Sequence, residues 1–524
     1  MTTGPFDAIL RGGDVLDGLG NPAIRADVGI VGERVAAIGD LSRATASKTF
    51  DCAGKTVCPG FIDIHTHSDI TLLFQRDLLS SLAQGVTSEV VGNCGFSLGM
   101  ATPDPIFALE RRALERVGLG IDWNSLPEFW QRVEDGGIAI NIATLAGHGT
   151  LRKRVMGLAE RLPDDGELTQ MKRELSRALD AGAIGLSSGL EYVPGMYADV
   201  AELMALAKVA AEAGGFYATH LRDEGDFLEE SVAEAIKVAE GAGVSLQLSH
   251  HKAERRANWG KIDRTLQTVR EARARGVEIV LDQYPYTAYQ TALATIALPA
   301  WSVGGTPAAM AERLASPEIR ARTRAEMGIG LDWRDVVIAA CPPHPDYPGK
   351  SVHALAEGLG VDPRDFVLDL LSEGEAWISA AHFAMSEDDV RTVLADPTVC
   401  IGSDGVAQAP GPESDLTHPR TYGTFARILS KYVRDEGLLS LPEAVRRMTG
   451  LPASRLGWTE RGRLKPGCCA DIAVLDPSSV RETASYTAPH ALASGIDRVF
   501  VGGTLTFENG AATGARAGKI LKKS

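Results

Sequence analysis

A repeating unit of apolar run, helix and closing glycine fills the middle of this 524-residue chain and limits what it can fold into. The runs are FIDIH, VTSEVVGN, IAINIATL, AIGLSS, FYATH, SLQLSH, VEIVLDQ and VCIGSD. Between several of them lie helical patterns such as LTQMKRELSRALDAG, VAELMALAKVAAEAGG and FLEESVAEAIKVAEGAG, each ending in the glycine that often closes a helix. Strands that alternate with helices pair in parallel, because a crossover helix returns the chain to the same sheet end. Eight such units close a barrel in about 250 residues or more. The fold class expected is α/β, a TIM-like (β/α)8 barrel. VVIAA and AWISAA are further strand candidates outside that series.

The two ends read differently. AILRGG, ADVGIVG and RVAAIGD near the start, and GCCADIAVLDP and IDRVFVGGTLTFENG near the end, are β-rich and glycine-punctuated. One small β domain built from both termini, 1–58 with 459–524, explains both with a single core. The barrel then occupies 59–458. Within it, 288–347 breaks the rhythm with Pro- and Gly-rich stretches and reads as an insertion on the catalytic face, a lid or pocket wall.

Polar residues that suit a metal recur at the carboxyl ends of the apolar runs, where such a barrel gathers its site. In FIDIHTH, alternation puts Asp63, His65 and His67 on one face, so two imidazoles converge. Cys94 follows VVGN, His220 ends FYATH, His250 ends LQLSH, and Asp404 lies in IGSDG. Taken singly, each has an ordinary reading: a buried thiol, a core histidine, a turn aspartate. The set of Cys, His and Asp at successive strand ends points to zinc. His251 follows His250 and points elsewhere by alternation. Asp223 and Glu224 in THLRDEGD are candidates to orient His220. His344 and His382 have no supporting pattern and are read as structural. His148 in AGHGTLR is read either as a loop-stabilising group or as a catalytic one.

The motifs together resemble the N-acyl-D-amino-acid deacylases, or D-aminoacylases, of the amidohydrolase superfamily. RGGDVLDGLG, PGFIDIHTHSD, GVTSEVVGNCGFS, SSGLEYVPGMYAD, THLRDEGD, LSHHK, DQYPYTA, HPRTYGTFARIL and MTGLPASRLG carry the resemblance over nearly the whole chain. It implies a barrel flanked by a β-sandwich. It implies a Zn2+ site in which Cys94, His220 and His250 hold one tight metal, with His65, His67 and Asp404 forming a second, weaker position. The fourth strand, AIGLSS, lacks the carboxylated lysine of many superfamily members, and the resemblance implies that Cys94 supplies the anionic ligand instead. Asp404 would move the proton. The resemblance also implies that Lys252 and a tyrosine of DQYPYTA bind the substrate α-carboxylate. Alternation puts Tyr284 and Tyr286 on the same side, so both stay candidates. Tyr192 would lie near the scissile group. Arg420 is read as the partner of an acidic substrate side chain, or as half of a structural ion pair.

The reaction implied is zinc-dependent hydrolysis of the amide of N-acyl-D-amino acids. The alternative is an amidase, carbamate or cyclic-imide hydrolase of the same superfamily acting on a xenobiotic or toxin amide. A catalytically dead scaffold would have shed ligands, and none is missing. The formal charge of −15 argues against nucleic acid or an anionic membrane as partner. No apolar run reaches the roughly 18 residues a membrane span needs. The start shows no basic-then-apolar leader pattern, and seven cysteines without scaffold spacing fit reduced thiols in a cytoplasm. The expected partner is therefore a small-molecule N-acylated amino acid or related amide, with homo-oligomerisation left open.

Overall fold

The computed structural model describes residues 5–374, 377–411 and 416–523. The barrel strands are β1 (Phe61–Asp63), β2 (Val86–Val91), β3 (Asn141–Thr144), β4 (Gly185–Gly189), β5 (Phe216–His220), β6 (Ser245–Leu248), β7 (Ile279–Gln283) and β8 (Val399–Ile401). All pair in parallel: β1 with β2, β2 with β3, the short Ala146–Gly147 continuation of β3 with β4, and so on to β7 with β8. A parallel bridge between Thr66 and Gly405 closes the ring just past the ends of β1 and β8. These eight strands are the eight runs read from the sequence.

The strands read as near-continuous apolar runs because both faces are covered. One face meets the barrel interior and the other meets the helices. Tyr217, Leu246, Leu248 and Leu281 are buried against the helix layer with Leu206, Val232, Ile236 and Leu266. The helices start and stop for local reasons. Asp164 forms a capping box with Glu167 at the start of Asp165–Asp180. Gly243 ends Leu228–Ala242 in the left-handed region (φ 64°), which a side chain with a Cβ disfavours.

Strands from both termini share one sheet. Thr56–Pro59 pairs antiparallel with Ile472–Leu475, so Val57 lies opposite Val474. This sheet encloses a core of its own, including Leu10, Val28, Ile30, Ile472, Val474 and Phe500. It is the small β-sandwich domain flanking the barrel. The C-terminal tail does not stay there. Ile520 bridges Ile142 beside β3, and the Gly518 and Lys523 amides donate to the Ile138 and Gly182 carbonyls. Residues 518–523 thus pack across the amino-terminal end of the barrel, while Lys519 Nζ still pairs with Glu33 of the small domain at 2.6 Å.

VVIAA and the second half of AWISAA are strands of a separate antiparallel sheet, Tyr289–Ala292, Val336–Ala340 and Ser379–His382 (Ala376 lies outside the described residues). Leu293, Met327, Ile338, Val352 and Phe366 form its core. The interruption expected over 288–347 therefore belongs to a longer module between β7 and β8 that runs on to His382. Among the described residues no helix is long and apolar enough to cross a membrane.

Candidate metal centre

His65, His67, Cys94, His220, His250 and Asp404 come together at the carboxyl end of the barrel. Their donor atoms form two groups that share one thiol. His65, His67, Cys94 and Asp404 are one group, Cys94, His220 and His250 the other, and within each the atoms lie within 4.8 Å of one another. Cys94 Sγ is 3.3 Å from His65 Nε2 and 3.5 Å from His250 Nε2. His220 Nδ1 is 2.9 Å from His250 Nε2. Asp404 Oδ1 is 3.4 Å from His65 Nε2 and 3.1 Å from His67 Nε2. A tetrahedral zinc with bonds of about 2.0–2.3 Å separates its ligand atoms by about 3.3–3.8 Å.

The remaining ring nitrogens explain why these atoms face one another. His65 Nδ1 meets Asp282 Oδ1 at 3.0 Å. His220 Nε2 meets Glu191 Oε2 at 2.9 Å, and His250 Nδ1 lies between Glu224 Oε1 at 3.1 Å and Lys252 Nζ at 2.8 Å. A carboxylate on one nitrogen draws the proton there and leaves the lone pair on the other. Three imidazole lone pairs and a thiol therefore point at common centres, an arrangement that fits a divalent cation and has no hydrogen-bonding logic of its own. The donor set of one Cys, several His and one carboxylate is a zinc set.

The backbone is strained at the same place. Cys94 (φ 51°), His250 (φ 34°) and Asp404 (φ 50°) all sit in the left-handed region that residues with a Cβ avoid. Each lies two or three residues beyond its strand, where the chain turns its side chain back over the barrel mouth. Such strain persists only where surrounding contacts fix it, and it clusters at functional sites.

Charge follows geometry. Burial alone would raise the Cys94 thiol, but the adjacent His65 and His250 hold it well below its usual range. Burial likewise opposes ionisation of Asp404, and Arg420 with His67 overrides it. Both are anions in the site.

The Amidohydrolase family sequence pattern matches residues 48–507. The chain is 39% identical to the N-acyl-D-glutamate deacylase of Alcaligenes xylosoxydans xylosoxydans over 99% of this chain and 97% of that one. The chain belongs to the amidohydrolase family. It is 36% identical to the D-aminoacylase of the same organism, over 99% of this chain and 98% of that one. The N-acyl-D-glutamate deacylase of Bordetella bronchiseptica superposes with a TM-score of 0.84 at 35% identity, covering 99% of this chain and all of that one. That structure holds zinc and a phosphonate inhibitor mimicking the tetrahedral intermediate of its reaction.

Around this amidohydrolase centre lie the other residues singled out from the sequence. Lys252 Nζ is 2.5 Å from Glu224 Oε2 and lies 5.7 Å from the Tyr284 ring centre. Arg420 covers the same ring at 4.9 Å, with Nη1 2.7 Å from Asp404 Oδ2. That contact is a charge pair rather than an aligned hydrogen bond, and Nη1 and the Tyr284 hydroxyl are both buried without a hydrogen-bond partner. Lys252, Tyr284 and Arg420 thus converge beside Asp404. Burial pushes the Tyr284 phenol up to about 12, so it remains a neutral donor. Tyr192 packs on His220, its ring 4.8 Å from the imidazole.

Tyr286 does not join them. Its hydroxyl donates to Glu482 Oε1 at 2.7 Å, and Arg427 covers its ring at 4.9 Å. Strand β7 ends at Gln283, and the Tyr286 amide already turns back to the Tyr284 carbonyl at 3.1 Å. Strand alternation therefore no longer applies to the pair. Glu224, not Asp223, is the acid that reaches the histidines, because Asp223 accepts from the Gly225 and Phe227 amides instead. His251 turns away to Thr265 Oγ1 at 2.8 Å. His148 is buried against Glu202 at 2.8 Å, which also holds Arg152. His344 pairs with Glu373 near the surface of the inserted module. His382, read as structural, meets Tyr289 Oη at 3.1 Å in the site wall.

Asp282, Glu191, Tyr289 and Glu254 went unnoticed in the sequence. Asp282 carried a usable signal. A lone acid in the apolar strand IVLDQ must be paired if it is buried.

Proposed function

We propose that this chain is a zinc-dependent hydrolase that cleaves the amide bond of N-acyl-D-amino acids to a carboxylate and a free D-amino acid. The observation that carries this reading is a shared-thiol zinc set placed beside Lys252, Tyr284 and Arg420, whose donors suit a carboxylate. Cys94, His220 and His250 would hold the tighter metal, because Glu191 and Glu224 back both imidazoles. His65, His67 and Asp404 would complete a second, weaker position through the same thiol. Bound zinc supplies Lewis acidity that polarises a carbonyl and brings the pKa of water to about 7.

The chain's own residues supply the rest. Lys252, Tyr284 and Arg420 bind the substrate α-carboxylate, which places the neighbouring amide over the centre. Arg420 also holds Asp404 as an anion facing the metal side, ready to accept a proton from water and deliver it to the departing nitrogen. Without that delivery the amine would leave as an amide anion, which it does not do near neutral pH. Tyr192 covers His220 and offers its phenol, kept protonated by burial, to the acyl carbonyl. The D configuration rests on the relatives' substrates. A cytoplasmic location is supported by free thiols at all seven cysteines. A small amide substrate, with no nucleic acid, agrees with the charge of −15.

The test is hydrolysis of paired N-acetyl-D and N-acetyl-L amino acids by zinc-loaded protein. Turnover of D forms alone is expected. Turnover of neither, with zinc bound, would transfer the site to other amides, carbamates or imides.

A further inference from the structure

The two sides of the metal centre differ in charge: on one, two cations balance two acids, and on the other the acids outnumber the cation. The α-carboxylate side has Lys252 and Arg420. Both flank one Tyr284 ring, and each is already paired with an acid, Glu224 or Asp404.

The His220 side is acidic. Glu191 faces His220, and the buried Glu254 and the Tyr289 hydroxyl lie in the same neighbourhood. Tyr289 and Thr291 project from the first strand of the inserted module, and Thr291 Oγ1 reaches to within 3.4 Å of the Tyr192 hydroxyl. So Tyr192, Tyr289, Glu191 and Glu254 form one continuous wall. The cation nearby is Arg255, and it is committed. Nη2 is 3.4 Å from Glu254 Oε1 and Nη1 is 3.6 Å from Asp226 Oδ2. One guanidinium thus serves two acids, with Glu191 as a third carboxylate beside them. Burial first, and then the Glu191 charge, push the Glu254 carboxyl up to about 7 against the lowering effect of Arg255.

We infer that the substrate side chain of this enzyme lies against the Glu254–Tyr289 wall and carries no carboxylate, with cationic amine or guanidinium side chains favoured and Glu254 as the selecting residue. This rests on the deacylase reading of the same site. A second carboxylate on the substrate would have to sit beside Glu191 and Glu254, and like charges at short range in a water-poor site repel strongly. A cation there gains an ion pair and a phenol acceptor. In this reading Arg420, held against Asp404, serves the α-carboxylate.

The experiment is a kcat/KM profile of zinc-loaded wild type and Glu254→Gln protein on N-acetyl-D-lysine, -D-arginine, -D-leucine, -D-glutamate and -D-aspartate. Expected is a preference for the basic over the acidic substrates of about a hundredfold, two like-or-opposite charge contacts at about tenfold each. Glu254→Gln should cut the lysine-to-leucine ratio about tenfold. A wild type that favours D-glutamate or D-aspartate overturns the inference and leaves the deacylase reading intact. An unchanged lysine-to-leucine ratio in the variant overturns the role of Glu254. Failure on every D substrate overturns the deacylase reading itself.

Discussion

Replacing Asp282 with Asn isolates how much of the metal centre is held from behind. Asp282 never reaches the metal side. Its Oδ1 takes the His65 ring at 3.0 Å and the His250 amide at 2.7 Å, and its Oδ2 takes Gln247 Nε2 at 2.6 Å. One carboxylate therefore ties together two members of the donor groups, carried just past strands β1 and β6. Asn keeps the shape and one acceptor but replaces the other with an NH2. It can satisfy either the His65–His250 pair or Gln247, and it carries no charge. The loss is about one charge-assisted hydrogen bond, roughly 1.5–3 kcal/mol. Carboxylates that back a ligating histidine typically contribute about 10–100-fold in metal affinity, or about 1.4–2.7 kcal/mol, and the two ranges agree. The measurement is zinc competition against a chromophoric chelator, with far-ultraviolet circular dichroism as the check on folding. Expected is a folded protein whose zinc affinity has fallen about 10–100-fold. Wild-type affinity in a folded Asp282→Asn protein would show that His65 needs no orienting partner and would refute the reasoning.

Three further outcomes follow from the geometry. Cys94→Ala should strip zinc from both donor groups and abolish turnover with the fold kept, read by metal analysis and circular dichroism. Full zinc retention would remove the thiol from the centre. Tyr284→Phe should raise KM about tenfold through loss of a hydrogen bond to a charged group, whereas Tyr286→Phe should leave KM unchanged and cost about 1 kcal/mol of stability through the lost Glu482 bond. Equal KM effects would return Tyr286 to the pocket. His382 is kept neutral by burial, with Arg255 adding to the effect, and its pKa is lowered to about 4. The unfolded chain takes that proton near about 6.5, so between these values the unfolded state binds more protons and stability falls as pH falls. Denaturation at stepped pH should show His382→Gln losing less stability than wild type from about pH 6.5 to about 4, by up to roughly 3 kcal/mol. Parallel curves would mean that His382 takes its proton in the folded state.

Local rules carried far here because the barrel is local in construction. Each strand–helix unit is specified by its own hydrophobic period and its own closing glycine, so eight runs could be counted before any contact was known. The donor types were legible for the same reason. A barrel places the residues just past its strands at one mouth, so His65, Cys94, His220, His250 and Asp404 needed only their strand positions to be grouped. What the sequence alone could not decide are matters of which distant residue meets which. Asp282 backs His65 across 217 positions, and Tyr286 meets Glu482 across 196. The C-terminal tail leaves the sandwich for β3, and VVIAA pairs in the inserted module rather than the barrel. Periodicity says which way a side chain points only while the strand lasts. Where β7 ends at Gln283, Tyr284 and Tyr286 part company, and packing against Lys252 and Arg420 on one side and Glu482 and Arg427 on the other decides where each ring goes. The charge of each wall is likewise a sum over residues far apart in the chain, so it exists only once the chain is folded.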